Sequence, residues 1–514
     1  MAELYLSAAR NRAAEPALTD EFGTTTWGDF NPRVNRLIHA FRGLGLGVGD
    51  AIAIHSRNRR EYFELMCAAS HAGLRYVLVN WHWTADELAY VVTDSGSSAL
   101  FSEDSFAEVA REATAGLDLR ARVALGGGIE GFQPYEEFLS GDESEPADQS
   151  LGVPMMYTSG TTGRPKGVSR SALKAGGPVA TLDLVGQVFA QIFLIPERGT
   201  SLLVGPVYHS AQWLWSFGMF NVGRQVVMRQ GWDPAETLRL IDEYAVTNLH
   251  LVPTQFVQLL RLPAKKREAF DGAGLSAVWH GAAPCSPEIK RQMIDWWGPI
   301  IHEYYGSTEA SVNTVVTAEE WLKKPGTVGR PLPITEVQVQ RPDGSKADMG
   351  ERGQIWFRYT SGDDVEYWGD KDKTRSIHKG DLFTTGDIGY FDEDGYLFLA
   401  DRAIDMIISG GVNIYPAEIE GVLITHPAVR DVAVFGIPDE EFGEQVKAAV
   451  ELCDGFQPSD ALAAELAEHA RASLAGYKAP KTIDFVEAMP RTPTGKLYKR
   501  LLRDPYWADR QKQI

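Results

Sequence analysis

The segment best suited to chemistry is the run at positions 157–168, Tyr-Thr-Ser-Gly-Thr-Thr-Gly-Arg-Pro-Lys-Gly-Val. Its glycines allow unusual backbone torsions and close approach to a ligand. The hydroxyls of Ser159, Thr161 and Thr162 and the ammonium of Lys166 suit a polyphosphate. The run does not fit the Walker pattern Gly-x-x-x-x-Gly-Lys-Ser/Thr. A plain surface turn is the commoner origin of such strings, but the complete run favours a phosphate-binding loop.

Further chemical groups recur in four later segments. They are Glu-Tyr-Tyr-Gly-Ser-Thr-Glu at 303–309, Thr-Gly-Asp at 385–387, Asp-Arg at 401–402 leading to Ile-Ser-Gly-Gly-Val-Asn-Ile-Tyr-Pro at 408–416, and Pro-Thr-Gly-Lys at 493–496. A lone Glu, Asp or Lys in such a segment is usually a solvated charge or a turn residue. The order of all five segments argues against that interpretation.

The elements that position these segments follow from the spacing of apolar residues. The pattern predicts helices at 27–46, 60–72, 232–244, 416–425 and 459–474, and strands at 51–55, 249–253, 275–280, 406–409 and 432–435. Alternating helices and strands predict parallel sheets covered by helices. Between 337 and 399 the pattern changes to short strands separated by Gly and Asp turns.

The chain has 514 residues, which is too long for one core, because cores stop growing near ~250–300 residues. We expect an α/β protein whose large N-terminal domain, 1–400, contains two α/β sheet subdomains and a small β-rich subdomain. A hinge at 401–404 then leads to a small α+β domain at 405–514.

The net charge of −19 and the pI of about 5.1 disfavour nucleic acid or an anionic membrane as the main partner. Cys67, Cys285 and Cys453 are too scattered for a disulfide framework or a zinc ribbon. The amino-terminal residues lack the apolar core of a signal peptide, and no apolar run reaches the ~18 residues of a membrane span. We therefore expect a cytoplasmic protein.

Taken together, the five segments resemble the motifs of the adenylate-forming superfamily, which contains acyl-CoA synthetases, peptide-synthetase adenylation domains and beetle luciferases. The resemblance covers nearly the whole chain and is of the acyl-CoA synthetase type. It implies an enzyme that uses ATP and Mg²⁺ to convert a carboxylic acid into an acyl-AMP. It also implies transfer of the acyl group to coenzyme A and a C-terminal domain that moves between two poses.

The resemblance also assigns roles to individual residues. Lys496, His209, Glu309 and Thr161 are the expected catalytic residues, with Glu309 also holding Mg²⁺, a cation that prefers oxygen ligands. Lys496 would bridge the two reacting anions. The expected ATP contacts are Thr158, Ser159, Gly160, Thr162, Gly163, Lys166, Gly281, Ala282, Ala283, Pro284, Glu303, Tyr304, Tyr305, Gly306, Ser307, Thr308, Asp387 and Arg402.

Within that set, Tyr305 is expected to flank the adenine and Asp387 to accept from both ribose hydroxyls. The expected contacts of coenzyme A are Ser409, Gly410, Gly411, Phe442, Tyr477, Lys478 and Lys481. An ordinary solvated surface explains Lys478 and Lys481 as well as contact with coenzyme A does. The chain departs from the family at the hinge, where Asp401 replaces the usual glycine and Ile404 occupies a polar position.

The expected acyl pocket contains His209, Trp213, Trp279, His280 and Tyr304, with Trp215 and Phe217 nearby. His209 resembles the family's aromatic gate beside the reacting carboxylate. Amino-acid-activating relatives carry an Asp near this position, so a histidine here argues against an α-amino acid substrate. The alternative to a role in the acyl pocket is a purely structural histidine at position 209. For the tryptophans, the alternative is an ordinary aromatic core. The wall of tryptophans favours a flat, moderately sized acid over a long chain.

Three alternatives remain open at this point. An amide bond synthetase of the same fold would pass the acyl-AMP to an amine. A luciferase-like oxygenase has no supporting residue. A non-enzymatic nucleotide-binding protein would not need both Glu309 and Lys496. The oligomeric state is not predicted by any of these residues.

Overall fold

A computed structural model describes residues 2–158, 164–171, 173–402, 405–491 and 497–508. Through the first 150 residues the elements alternate as the apolar spacing predicts. They are α1 Glu3–Asn11, β1 Pro16–Asp20, β2 Gly23–Thr26, α2 Trp27–Gly43, β3 Ala51–His55, α3 Arg60–Ala72, β4 Arg75–Leu78, α4 Ala85–Asp94, β5 Ser97–Glu103, α5 Ala107–Thr114, β6 Ala121–Leu125, β7 Gln133–Pro134 and α6 Tyr135–Phe138. The predicted bounds of β3 and α3 are confirmed, because an uninterrupted apolar strand and a long helical spacing are the clearest patterns.

The alternation continues in the middle of the chain. The elements are β8 Val153–Thr158, β9 Lys166–Arg170, α7 Thr181–Ile192, β10 Thr200–Leu203, α8 Ser210–Asn221, β11 Gln225–Met228, α9 Pro234–Glu243, β12 Asn248–Leu251, α10 Pro253–Leu260, α11 Ala264–Glu268, β13 Ala277–His280, α12 Pro287–Trp297, β14 Ile301–Ser307, β15 Ser311–Val316, α13 Ala318–Lys323, β16 Thr327–Pro331 and β17 Thr335–Gln340. Pro253 begins a helix and does not end a strand as predicted, because proline lacks the ladder donor but fits a first helical turn.

Short strands and a final α+β unit complete the chain. The elements are β18 Gly353–Tyr359, β19 Val365–Tyr367, α14 Lys371–Ser376, β20 His378–Lys379, β21 Leu382–Phe383, β22 Asp387–Phe391, β23 Leu397–Arg402, β24 Ile407–Ser409, β25 Val412–Ile414, α15 Pro416–Leu423, β26 Val429–Asp439, β27 Gly443–Leu452, α16 Asp460–Ser473, β28 Thr482–Val486 and α17 Lys499–Arg503. The strand predicted at 432–435 is much longer, because β26 pairs with β27 along its whole length.

Three sheets organise these elements. An eight-stranded sheet has the order β19-β9-β8-β4-β3-β5-β6-β7. A fifteen-stranded sheet runs β2-β1-β11-β10-β12-β13-β14-β15-β16-β23-β22-β18-β21-β20, with β17 paired to β18. A five-stranded sheet runs β25-β24-β27-β26, with β28 paired to β27. The predicted mixed α/β class is confirmed, although the two large sheets exchange strands: β8 and β9 join the first sheet, and β1 and β2 join the second.

Helix α8 connects the regions of the two large sheets through an aromatic cluster. The Phe220 ring is fully buried and lies 4.8 Å from both the Trp27 and Phe30 rings and 5.6 Å from that of Phe63. These rings belong to helices α2 and α3 of the first region, so the cluster fixes the position of α8. None of the helices in the described ranges combines the length and the apolar composition that a membrane span requires.

We predict that Phe220→Ala lowers the free energy of unfolding by about 3–5 kcal/mol, because it leaves a cavity among the rings of Trp27, Phe30 and Phe63. Urea unfolding followed by tryptophan fluorescence measures the change. Leu184→Ala on α7 is the control, since that side chain is 63% exposed and its loss should change the free energy by less than about 0.5 kcal/mol. Equal effects of the two substitutions would contradict the prediction.

Candidate functional site

Neighbouring parallel strands end at one edge of the second sheet. Strands β12, β13 and β14 pair in parallel, and open α/β sheets bind ligands outside such carboxyl ends. The turn after β13 presses against β14: a Cβ on Gly281 would lie 2.6 Å from the Tyr304 ring. Ala282 has a φ of 64°, a left-handed conformation that is costly for a residue other than glycine. The predicted wall of small residues, 281–284, is therefore a tight and strained turn.

Residues from three predicted segments converge on Asp387. The Tyr305 hydroxyl donates to Asp387 Oδ2 at 2.6 Å, and the Thr385 hydroxyl donates to the same oxygen at 2.6 Å. Arg402 Nε lies 3.6 Å from Asp387 Oδ1. Burial, reinforced by the Asp387 carboxylate, raises the pKa of Tyr305. The result is a polar pocket corner with a tyrosine ring, a carboxylate and a guanidinium.

Glu309 is held next to this corner. The Tyr367 hydroxyl donates to Glu309 Oε1 at 3.1 Å, and Arg170 Nη1 donates to the Glu309 carbonyl at 3.3 Å. The hydroxyl groups of Thr308 and Ser210 lie 3.0 Å apart and connect the segment to helix α8. Neither Tyr367 nor Arg170 is predicted from the sequence, because both lie in short strands outside any recognisable motif.

The phosphate-loop segment is described only at its two ends. Thr158 and Lys166 are paired across the antiparallel strands β8 and β9, whereas Ser159, Gly160, Thr161, Thr162 and Gly163 lie outside the described residues. Lys166 Nζ contacts Asp370 Oδ2 at 2.7 Å. This hydrogen bond raises the pKa of Lys166. The predicted phosphate cation therefore already has a carboxylate partner, which the sequence did not indicate.

The residues predicted for the acyl pocket fall into two groups. The Tyr304 ring stacks on Trp215 at 4.6 Å, and Trp279 belongs to the same buried cluster. Trp213 instead packs against Phe217, at 6.0 Å, on the side of α8 that faces the first sheet. A wall made of all the predicted tryptophans is therefore absent among the described residues.

His209 and a buried polar chain flank the aromatic group. His209 precedes the first residue of α8, and its Nδ1 accepts from the Ala211 amide at 3.4 Å, so it acts as the helix cap. Gln212 Nε2 lies 3.0 Å from His250 Nδ1, and His250 Nε2 lies 3.0 Å from the Tyr304 hydroxyl. Burial lowers the pKa of His250 well below its ordinary value. This chain fixes the Tyr304 ring.

Behind the turn at 281–284 lies a buried ion pair. Lys290 Nζ contacts Glu303 Oε2 at 2.7 Å, and His280 Nε2 lies 3.4 Å from the same oxygen. Burial alone would raise the pKa of Glu303, but the Lys290 ammonium, with His280, lowers it to about 2. Glu303, which was predicted to contact ATP, thus interacts with other protein side chains. The same holds for His280, which was predicted to line the acyl pocket.

Several residues predicted to contact an acceptor form one exposed face of the C-terminal unit, which we call the acceptor face: Ser409, Gly410, Gly411, Phe442, Tyr477, Lys478 and Lys481. The Gly410 amide donates to the Phe442 carbonyl at 2.8 Å, and Lys481 Nζ lies 4.6 Å from the Phe442 ring centre. The rings of Phe442 and Tyr477 are 41% and 58% exposed. This face is therefore open to solvent.

The lysines of the acceptor face are paired with carboxylates. Lys478 Nζ contacts the Glu418 oxygens at 2.7 and 2.8 Å, and Lys481 Nζ contacts Asp439 Oδ2 at 3.2 Å. Both pairs are partly exposed, so each contributes little to stability. An incoming anion would have to compete with these carboxylates.

Another side of the C-terminal unit lies next to helix α8. Burial, together with the nearby Tyr498 hydroxyl, raises the pKa of Tyr208, which directly precedes His209. The Tyr498 amide donates to the Pro490 carbonyl at 2.8 Å, which fixes the start of the final helix. Lys496 and Ile404, for which the sequence predicted a catalytic and a hinge position, lie outside the described residues.

Glu309 is a suitable protein ligand for a divalent cation at this site. Within the described ranges, no group of three or more His, Cys, Asp or Glu side chains could hold a metal ion. Mg²⁺ characteristically takes one or two carboxylates and completes its shell with phosphates and water. Glu309, which offers oxygen ligands beside the converging segments, fits that donor set.

Comparisons with known proteins agree with this geometry. The family model described as AMP-binding enzyme matches residues 6–361, and that of the AMP-binding enzyme C-terminal domain matches 418–496. The fatty acid–[acyl-carrier-protein] ligase ScoC of Streptomyces coeruleorubidus is 32% identical, over 98% of this chain and 96% of its own length. Feruloyl-CoA synthase of an Amycolatopsis species is 33% identical, over 93% of each chain. The structure of the amide bond synthetase McbA from Marinactinospora thermotolerans has a TM-score of 0.82 and 26% identity, covering 98% of this chain and 100% of that one.

The buried pair behind the turn gives a testable prediction. Lys290→Met leaves the Glu303 carboxylate buried without its ammonium and should lower the free energy of unfolding by about 3–5 kcal/mol. The double variant Lys290→Met/Glu303→Gln should recover most of that loss, because no unpaired charge remains. Urea unfolding at neutral pH measures both.

The same pair predicts a pH dependence. The pKa of Glu303 is depressed from 4.5 to about 2, so its contribution is present above the ordinary value and is lost as the pH falls through that window. The stability advantage of the wild type over the double variant should therefore shrink below pH 4.5. An advantage that stays constant down to the lowest pH would contradict the prediction.

Proposed function

Because this chain belongs to the AMP-binding enzyme family, we propose that it is an ATP-dependent carboxylic acid–CoA ligase that works through an acyl-AMP. The observation that carries the proposal is the convergence of Tyr305, Asp387 and Arg402 beside the strained turn at 281–284. A ring face, a carboxylate and a guanidinium are the groups that a nucleoside with a phosphate requires. Glu309 adds the carboxylate that a metal–polyphosphate needs.

Nucleotide binding would use the converging groups in the following way. The adenine lies between the Tyr305 ring and the turn at 281–284, where alanine and glycine leave space for a flat base. Asp387 accepts from the ribose hydroxyls, and Arg402 is near enough to orient its carboxylate. Lys166 contacts the phosphates after exchanging its partner Asp370. Glu309 holds Mg²⁺, which neutralises charge on the phosphates when bound.

The first half-reaction joins two anions. A carboxylate oxygen bonds to the α-phosphorus while the bond from that phosphorus to the α–β bridging oxygen breaks, and diphosphate leaves with that oxygen. Charge repulsion is the main barrier, so a positioned ammonium lowers it electrostatically. Lys496 supplies that ammonium in our proposal. Thr161 and Thr308 contribute hydroxyl donors to the phosphate oxygens.

The second half-reaction transfers the acyl group to the thiol of coenzyme A. The thiol loses its proton to solvent, the sulfur bonds to the carbonyl carbon, the bond from that carbon to the AMP oxygen breaks, and AMP leaves with that oxygen. In the present pose the acceptor face is open to solvent, while the side that carries Tyr498 lies near Tyr208. Both sides can serve one site only if the C-terminal unit turns between the half-reactions.

The acid pocket is proposed to accept a flat, unsaturated or aromatic acid. Its wall contains Trp215, Trp279 and Tyr304, all of which are nearly fully buried, and the hydrogen bonds of His250 and Gln212 hold it rigid. Aromatic rings stack well against such a wall. His209, which caps α8 with Nδ1, is beside the reacting carboxylate in this proposal. The feruloyl-CoA synthase among the relatives supports this class of acid.

An amine acceptor is the second candidate. Lys478 and Lys481 of the acceptor face are neutralised by Glu418 and Asp439, a charge pattern that suits a cationic acceptor better than the phosphates of coenzyme A. The similarity to an amide bond synthetase points the same way. Offering coenzyme A and a panel of amines together, and identifying the acylated product, separates the two acceptors. The leading proposal predicts a thioester as the main product, and a predominance of amides would replace it with the second candidate.

We predict that Lys496→Ala reduces acid-dependent ATP–diphosphate exchange by about a thousandfold or more, because the barrier loses its bridging charge. Transfer of the acyl group from supplied acyl-AMP to coenzyme A should stay within about threefold of wild type. Lys371→Ala, an exposed lysine of α14, is the control and should change neither reaction. Equal loss of both half-reactions in Lys496→Ala would refute the assigned role.

Phe442→Ala should impair the second half-reaction and leave the first unchanged. Its ring belongs to the acceptor face and packs against Lys481, so its loss should raise the KM for coenzyme A by about tenfold, the cost of one aromatic contact. Diphosphate exchange should be unchanged, since that reaction needs no acceptor. Exchange and thioester assays on the purified variant test this split, and impaired exchange would show that the ring serves another purpose.

A further inference from the structure

Three carboxylates surround one lysine where the C-terminal unit meets the large domain. Lys499 Nζ contacts Glu420 Oε1 at 2.8 Å. Asp401 and Asp405 are its next anionic neighbours, and together with Glu420 they raise the pKa of Lys499, although burial alone would lower it. Burial raises the pKa of Glu420 and of Asp401. The lysine is thus the positive centre of a shielded acidic cluster.

This cluster spans the junction between the two units. Asp401 belongs to the large domain, because it is paired with Ile388 in the ladder of β22 and β23. Its Oδ2 accepts from the amide of Ala417, in the first turn of α15, at 2.9 Å. Its Oδ1 accepts from the Arg402 amide at 2.7 Å. Both oxygens are used, and one of them ties the large domain to a helix of the C-terminal unit.

The remaining members are fixed within the C-terminal unit. Glu420 lies one turn further along α15, and its Oε1 also accepts from the Val434 amide at 2.7 Å. Lys499 begins the last helix, directly after Tyr498, which lies near Tyr208. The lysine therefore joins three parts: the end of β23, helix α15 and the carboxy-terminal segment.

We propose that Asp401, Glu420 and Lys499 are positioning residues that hold the C-terminal unit in the pose used for acyl-AMP formation. The inference rests on the proposed function, in which Lys496, three residues before Lys499, acts in that step. It depends on the side chain of Asp401, because glycine, the residue expected at position 401 from the resemblance, has no carboxylate to accept from Ala417.

The physical reason is electrostatic. Without Lys499, no ammonium separates the carboxylate of Asp401 in the large domain from that of Glu420 in the C-terminal unit, and Asp405 adds a third negative charge beside them. Like charges in a shielded environment repel strongly, so helix α15 is pushed away from β23. Turning of the C-terminal unit separates Asp401 from Ala417 and Lys499 and relieves the repulsion. The cluster therefore stabilises one pose and not the other.

The test compares the two half-reactions in Lys499→Met. We expect acid-dependent diphosphate exchange to fall by about tenfold or more, since one member of a shielded ion pair is left alone. Acyl transfer from supplied acyl-AMP should remain within about twofold of wild type or rise. Lys447→Met is the control, because Lys447 is also a buried lysine paired with a carboxylate, that of Asp484 at 2.6 Å, but its pair lies entirely inside the C-terminal unit.

Two further variants identify the cause. Lys499→Arg keeps the charge and should retain exchange. Glu420→Gln added to Lys499→Met removes the unpaired carboxylate and should recover at least half of the lost exchange activity, a coupling that a merely structural role would not produce. Equal loss of both half-reactions in Lys499→Met, as in a folding defect, or absence of recovery in the double variant would overturn the proposal.

A measurement that needs no substrate separates this proposal from the proposed function. Hydrogen exchange of the Ala417 amide, which donates to Asp401, should be faster in Lys499→Met and unchanged in Lys447→Met. If no acid supports diphosphate exchange in the wild type, the proposed function fails while this readout still tests the contact. An unchanged Ala417 amide in Lys499→Met would overturn the positioning role.

Discussion

The constraint on which the site depends is the joining of two anions by a protein that is itself strongly acidic. The chain has a net charge of −19, and the nucleotide and the acid are both negative. Two described cations near the site have carboxylate partners: Lys166 has Asp370, and Arg402 has Asp387. In the proposed function, phosphates replace Asp370 as the partner of Lys166 while Arg402 keeps Asp387, so both cations are held in place before the ligand arrives.

This exchange works only if the backbone around it is rigid, and the fold supplies the rigidity. Each large sheet contains strands from both the first and the middle region of the chain, and the Phe220 cluster fixes the position of α8. Helix α8 then carries His209 and Ser210 to the segment that ends in Glu309. Behind the turn at 281–284, the buried Lys290–Glu303 ion pair supports the backbone of the turn. The strain at Ala282 persists because these neighbours hold it.

The sequence predicted the class of fold, the family and several elements, because long apolar patterns and ordered motifs are local. The bounds of β3 and α3 are examples. It could not predict that β8 and β1 would exchange between sheets, since strand partners are chosen by tertiary packing. Nor could it find Tyr367, Asp370 or Lys290, whose roles exist only through contacts with residues far along the chain. The roles assigned to Thr161 and Lys496 stay predictions.

The central claim is that a carboxylate oxygen attacks the α-phosphorus of ATP, and an isotope measurement tests it most directly. A carboxylic acid that the enzyme accepts as a substrate is labelled with ¹⁸O in both carboxyl oxygens and incubated with the enzyme, ATP, Mg²⁺ and coenzyme A. The products are then analysed by mass spectrometry. The account predicts one ¹⁸O atom in each AMP and none in diphosphate, because the acyl–oxygen bond breaks when the thiol attacks. Label in inorganic phosphate with ADP as the nucleotide product, or unlabelled AMP, would contradict it.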